Sequence, residues 1–314
     1  MFFIFKENNL SLTSTKGYIS SLNKEDLMKF TQEFNKTSLT LGLIYIIFYH
    51  LSIFLILFLY YKLLSYNYFY LGLLPIVFLF LARQLRSLEN IVHFGSHYNL
   101  TKNKKLNDAI INIFCAFPVM QKVSSYRTFH LRHHSRYGSD IDPCKIRFDK
   151  FIQQDKKNIL MYLKFIIRNL PSYFIEYYKE LGSKLQNIGI YFFYNLTFFT
   201  LFSIFFNTNF AIFSCLLINI SMFVVLPVIR SIAEYDEHNY KKSNNLFETT
   251  FNNLSLTDFL FFHPAGDGYH IIHHLFPAIP WWKQRAAHLY LLKNDNSYLQ
   301  ACNRTKFSHK YTLI

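Results

Sequence analysis

The sequence predicts an all-α integral membrane protein: a four-helix transmembrane bundle with a helical cap on one side. Three observations carry this. The 314-residue chain is 51% hydrophobic and 19% aromatic, with 36 Phe and 23 Tyr, well beyond a soluble average. A large share of its apolar residues falls in long runs. Eight of the 13 histidines gather in three clusters outside those runs, and a ninth, His238, stands 32 residues before the last cluster.

Taken in order, residues 1–38 form an N-terminal segment in which Asn23 can cap a helix starting at Lys24, with Glu25 and Asp26 in its first turn. This reads as an amphipathic segment on the membrane surface, and residues 39–314 as one integrated membrane domain. Leu39–Tyr60 is free of charge over 22 residues, enough to span about 30 Å of hydrocarbon at about 1.5 Å per residue. His50 lies inside this run and has no neighbouring cluster, so it reads as a packing residue. A second, shorter span covers 66–82, with Pro75 inside it. Two more cover 188–206 and 210–229, joined by a three-residue turn. Between the second and third spans, 109–120 is apolar but too short to cross. Residues 151–170 read as an interfacial helix ended near Pro171, with a second piece over 173–181. Near the end, Trp281 and Trp282 suit the head-group region, and Lys283–Lys293 reads as a helix.

Charge sets the orientation. Lys and Arg number 5 in residues 1–38, 18 in 83–187 and 9 in 230–314, while the two short connections hold only Lys62. The basic side is expected to be cytoplasmic, with both termini and every histidine cluster on it. Cys115, Cys144, Cys215 and Cys302 form no C-x-x-C pair, in keeping with reduced thiols facing the cytosol. The net charge of +14 fits anionic lipid head groups; no motif supports nucleic acid.

The clusters read HFGSH (His93, His97), HLRHH (His130, His133, His134) and HIIHH (His270, His273, His274). Residues three and four apart share a helix face, so each cluster can aim two or three imidazoles at one point. Neutral imidazole is a favoured ligand of iron, copper and zinc. Eight or nine imidazoles exceed what one ion accepts, which points to a two-metal site.

From about Leu85 to Leu292 the chain resembles the integral-membrane fatty acid desaturase and hydroxylase superfamily. The resemblance rests on HFGSHYNLTKNKKLND, HLRHHSRYGSDIDP, the EH at 237–238 and GYHIIHHLFPAIPWW, in the family's order. It implies two irons at the cytosolic mouth of a four-span bundle, held by His93, His97, His130, His133, His134, His270, His273 and His274. His238 corresponds to the extra histidine the family places between the fourth span and the last cluster. There the chain departs from the family's Arg-x-x-x-Glu-His and reads RSIAEYDEH. Either His238 follows extra residues, or Glu234 marks the match; the downstream spacing favours His238. His263 is expected behind the ligands, and His288 and His309 on the surface.

Two ferrous ions among neutral imidazoles need nearby carboxylates to offset their charge. The candidates are Asp108, Asp140, Asp142, Glu234, Glu237 and Asp267. The resemblance further implies molecular oxygen as co-substrate, a lipid or fatty acyl substrate, and a separate ferredoxin-like or cytochrome electron donor. The leading expectation is an acyl desaturase. A lipid hydroxylase or carotenoid ketolase is the alternative, and a histidine-rich metal transporter a remote one, since transporter sites sit at membrane depth.

Overall fold

The structure, a computed structural model, describes residues 20–152, 159–180, 185–238, 240 and 246–303. Among them all regular structure is helical apart from one isolated antiparallel bridge, His238 with Thr250. Helix α1 (Lys24–Phe34) begins where Asn23 accepts the Asp26 N–H at 2.8 Å. Its apolar face is covered by protein where the sequence reading gave it to the membrane surface. Phe30 is buried against Phe276 and Tyr290, at 5.0 and 5.3 Å between ring centroids.

Four stretches are long and apolar enough to cross a membrane. They are α2 (Leu39–Tyr66), a short turn leading into α3 (Leu74–Gly95), α8 (Leu185–Phe205), and α9 (Thr208–Ile220), which passes through a π-helical turn into α10 (Leu226–Glu237). Ile47, Phe192, Ile204 and Leu216 stay exposed on their outer faces, while Leu57, Leu81 and Phe210 are buried between them. An apolar exterior around an apolar interior is the pattern of a lipid-solvated bundle.

Three of these stretches are longer than the bilayer is thick, and the excess of two of them positions the site. Tyr68–Gly95 has 28 residues and Thr208–Glu237 has 30. At about 1.5 Å per residue these are about 42 and 45 Å long, against roughly 30 Å of hydrocarbon. The last two or so turns of each therefore stand in the head-group region. They run past the span ends read from hydropathy, 82 and 229, because the continuation is polar but still helical. Buried charges cross-link the two helices there. Arg230 pairs with Glu89, its Nε donating at 3.2 Å, and lies 3.6 Å over the Tyr177 ring. Gln121 donates to Glu89 at 3.0 Å.

The remaining elements form the cap. Helix α4 (Lys104–Ile111) leads into a π-helical turn over Asn112–Ala116 that packs Ile111 and Cys115 beneath α3. The carbonyl of Phe114 in that turn accepts the His50 Nε2–H at 2.7 Å, so His50 does bridge two elements. Next come α5 (Val123–Arg136), α6 (Pro143–Arg147) and α7 (Ile159–Glu180). Helix α7 runs unbroken through Pro171, a correction to the two pieces expected. The proline removes one N–H, and the carbonyl it leaves unpaired belongs to Ile167, an exposed position, where the loss is tolerable. The chain closes with α11 (Leu246–Thr249), α12 (His270–Leu275), α13 (Gln284–Asn294) and α14 (Asn296–Asn303). Two further expectations fail here. Trp281 is core, 4.5 Å from Trp282 and 6.4 Å from Phe94, because the chain doubles back over α3. His288 is buried and bonded to the Tyr298 hydroxyl at 2.8 Å; burial pushes its imidazole down to about 4. His309 lies outside the described residues.

Candidate metal centre

The overshooting end of α3 supplies His93, and the tight turn after it supplies His97. Helix α5 supplies His130, His133 and His134, and α12 supplies His270, His273 and His274, with His238 just after α10. In each H-x-x-H-H the middle and last histidines are adjacent in sequence and so point about 100° apart around the helix, towards different neighbours. The two helices exchange these middle members. His273 joins His130 and His134, with Nε2–Nε2 distances of 3.1 and 3.0 Å. His133 joins His274, 3.4 Å away at Nε2, and His274 in turn lies 3.1 Å from His270 Nε2. His93 completes the first group, 2.7 Å from His273, and His97 lies within the same cluster. His238 completes the second, its Nε2 3.2 Å from that of His270. The result is five imidazoles in one group and four in the other, with His134 stacked on His274 at 4.5 Å between ring centroids.

The charge state of these rings decides what such crowding means. Burial pushes His130, His270 and His273 well below the ordinary imidazole value, so they are neutral near pH 7. His133 Nδ1 faces Asp142 Oδ1 at 2.9 Å and His93 Nδ1 faces Asp267 Oδ1 at 3.3 Å. A carboxylate only accepts, so both Nδ1 atoms carry the proton and both Nε2 atoms present bare lone pairs. Lone pairs converging within about 3 Å repel unless a cation sits among them. With metal–nitrogen bonds of about 2.0–2.1 Å, neighbouring ligands lie about 2.9–3.4 Å apart, close to the 2.7–3.4 Å between Nε2 atoms here. The donor set fits two metal ions.

Local chain geometry fixes the supporting carboxylates. Asp142 caps α6 by accepting the Cys144 N–H at 2.9 Å, and it takes the Gly138 N–H at 2.8 Å; Gly138 has φ of 71°, where a side chain would strain. Asp267 sits in a turn in which Gly266 has φ of 79° and packs on the Trp281 carbonyl, leaving no room for a Cβ. Its second oxygen accepts from His263 Nδ1 at 3.2 Å and Arg86 at 3.1 Å. Burial would raise this carboxyl, but Arg86 and its histidine donors hold it well below the usual carboxylate range. Glu237 lies 3.6 Å from both Arg86 and His263.

The other candidates divide. Glu234 is bound by Arg147 at 2.7 Å and by the Tyr173 hydroxyl at 2.9 Å, on the wall of the cavity beside the histidines. Asp108 pairs with Arg127, whose Nε also bonds the Ser96 carbonyl beside His97. Asp140 is a correction: its side chain is 98% exposed and paired with Lys145, away from the centre. Sequence reading missed Arg86, Glu89 and Arg230. The available signal was charge in the turns flanking two apolar runs, where burial demands a partner.

A helical bundle long and apolar enough to cross a membrane, carrying two polyimidazole groups at its rim, is the architecture of a membrane protein able to hold metal ions. Comparison with protein-family models matches residues 69–306 to the fatty acid desaturase family, and the chain belongs to that family, an integral membrane member of the desaturase and hydroxylase superfamily. No curated protein and no solved structure matches it.

Proposed function

We propose that this protein is a di-iron, oxygen-dependent lipid desaturase. The observation that carries the reading is the reciprocal exchange of His133 and His273 between two helices, which divides nine imidazoles into a group of five and a group of four. In this assignment His93, His97, His130, His134 and His273 hold one iron, and His133, His238, His270 and His274 hold the other. Iron bound there supplies reduction of oxygen and removal of hydrogen from unactivated carbon. The balance is simple: two vicinal C–H bonds break, a C=C bond forms, and oxygen becomes two waters. Two electrons come from the substrate, two from a carrier protein, and two protons from solvent.

The chain's own residues do the rest. Asp142 and Asp267 hold the tautomers that leave Nε2 bare, and Asp267 with Arg86 balances charge behind His93. The centre is reached through a cavity touching members of both groups, His93 and His130 on one side and His133, His238 and His270 on the other. The donor in this reading is an acidic ferredoxin-like or cytochrome protein, since residues 97–136 carry seven basic side chains against one acid. Both termini and the centre face the cytoplasm, with residues 1–38 a cytosolic segment and 39–314 one membrane domain. A transporter is disfavoured because every histidine of the two groups lies beyond the hydrocarbon.

Metal analysis of the purified protein is expected to find iron in both groups. Host lipids with and without the gene, compared by mass spectrometry, are expected to differ by loss of two hydrogens. Gain of one oxygen instead would make the protein a hydroxylase or ketolase, and a single zinc with activity intact would overturn the di-iron reading. External labelling of introduced cysteines is expected near Lys62 and Thr208 and not near Lys104.

A further inference from the structure

His97 is the one member of the group of five that no helix carries. Helix α3 ends at Gly95, and the chain continues as a turn in which the His97 and Tyr98 N–H groups bond Phe94 and Gly95 carbonyls, both at 3.0 Å. The turn finishes at Tyr98, whose φ of 59° is left-handed. A bulky residue adopts that conformation only where its surroundings impose it. Yet the His97 ring is placed evenly, with its centroid 4.9, 5.0 and 5.1 Å from those of His130, His134 and His273. A turn of this kind does not fix a side chain as a helix does, so the even placement has to come from what grips the turn.

The grip comes from α4 and α5. Buried Asn107 donates to the Gly95 carbonyl at 2.9 Å. Arg127 takes the next carbonyl: its Nε donates to Ser96 at 2.7 Å, while Nη1 and Nη2 fork onto the two oxygens of Asp108 at 2.9 and 2.6 Å. The guanidinium also lies 4.0 Å from the centroid of the Tyr98 ring. One planar group therefore holds the residues on both sides of His97. Only arginine offers a rigid fork together with a face that stacks on an aromatic ring, and the Asp108 carboxylate offsets its charge. Arg127, His130 and His134 stand at i, i+3 and i+7 of α5, on one face. The helix that supplies two ligands thus supplies, one turn earlier, the clamp on a third. A plain staple between α4 and α5 would need only the fork onto Asp108; the Ser96 bond and the Tyr98 stack serve the turn.

Resting on the two-metal reading above, we propose that Arg127 is a positioning residue for the group of five: it holds the Ser96–Tyr98 turn so that His97 is delivered to the metal, and Asp108 holds the guanidinium in the plane this requires.

The test strips the purified full-length chain of metal and reloads it with Co2+, whose visible absorption reports the geometry of its ligands. His97→Ala, Arg127→Ala and the double variant form a cycle. Arg127→Ala is expected to weaken Co2+ binding at one of two sites roughly tenfold and to shift the visible bands in the direction that His97→Ala shifts them. The double variant is expected to bind within about twofold of His97→Ala alone, because Arg127 has nothing left to position. Arg127→Lys, which keeps the charge and loses the fork, is expected to restore little. Asp108→Asn, which keeps the shape and one acceptor oxygen, is expected to cost about two- to fivefold. Wild-type bands in Arg127→Ala, or losses that multiply in the double variant, would make Arg127 a staple between helices and overturn this inference, leaving the two-metal reading standing. A wild-type chain that binds no Co2+ would overturn both. If Arg127→Ala fails to accumulate in membranes, the same cycle run with Asp108→Asn decides.

Discussion

The two histidine groups are built from the same parts and differ in surroundings. The group of five contains His97 and His134, both half-buried, while all four members of the other group are buried. The first also draws on α3, α5 and α12 together, whereas the second relies on α5, α12 and the single residue His238 after α10. One group thus has five imidazoles and an edge near solvent; the other has four buried imidazoles, with Glu237 beside His238 and His270, and both groups touch the cavity. On the proposed assignment, imidazole coordination is redundant in the group nearer solvent and minimal in the buried one.

The largest effects break the comparison at adjacent residues. His273→Ala and His274→Ala remove one imidazole from different groups, and turnover is expected to vanish in both. Iron loss should differ. Removing His273 leaves four imidazoles, a full tetrahedral set, while removing His274 leaves three. The His274 variant should therefore retain less iron. Equal retention would show that the groups are not divided as the Nε2 distances indicate.

The carboxylates come next. Asp267 bonds His93, His263 and Arg86, while Asp142 bonds His133 and two loop N–H groups. Each Asp→Asn change should cost roughly 10- to 100-fold in activity or metal affinity. Asp267→Asn is expected at the upper end, because it also strips a charge from buried Arg86. A neutral Asp267→Asn with a damaged Asp142→Asn would reverse the ranking of the two supports.

A smaller effect is read from pH on metal-stripped protein. His130, His270 and His273 lie well below the ordinary imidazole value when folded, chiefly through burial, but titrate near about 6.5 when unfolded. The unfolded state therefore binds more protons below that value, so stability is full above it and falls as pH drops. Tm of the stripped protein should decline from about pH 7 to pH 5.5, and iron should flatten the slope by blocking protonation. A flat Tm without metal would mean that the rings protonate freely in the fold.

Much of this was legible beforehand, for physical reasons. Long apolar runs and the H-x-x-H-H spacing are local patterns, and each dictates a helix or a shared face by itself. Which group each histidine joins was not local: it depends on how α5 and α12 face each other. The same holds for His288, polar in sequence yet buried by the fold of α13 and α14, and for Asp140 against Asp142, two residues apart with opposite exposure. Hydropathy also hid Arg86 and Glu89, since it ends a span at the first charge while the helix itself continues.

The finest test concerns how His238 is held. Its Nδ1 lies 3.4 Å from the hydroxyls of Tyr137 and Thr250, whereas His133 Nδ1 lies 2.9 Å from a carboxylate. A neutral hydroxyl at that distance orients a ring weakly and adds no charge. Tyr137→Phe should therefore cost only about two- to fivefold in turnover, with iron content unchanged, well short of Asp142→Asn. His238→Ala is the necessary partner experiment. If His238 fills the fourth position, its loss should lower iron and turnover together, since three imidazoles remain. Wild-type iron and turnover in His238→Ala would instead remove it from the centre. The group of four would then become three, and the match to the family pattern would have to be sought at Glu234, which Arg147 and Tyr173 already occupy.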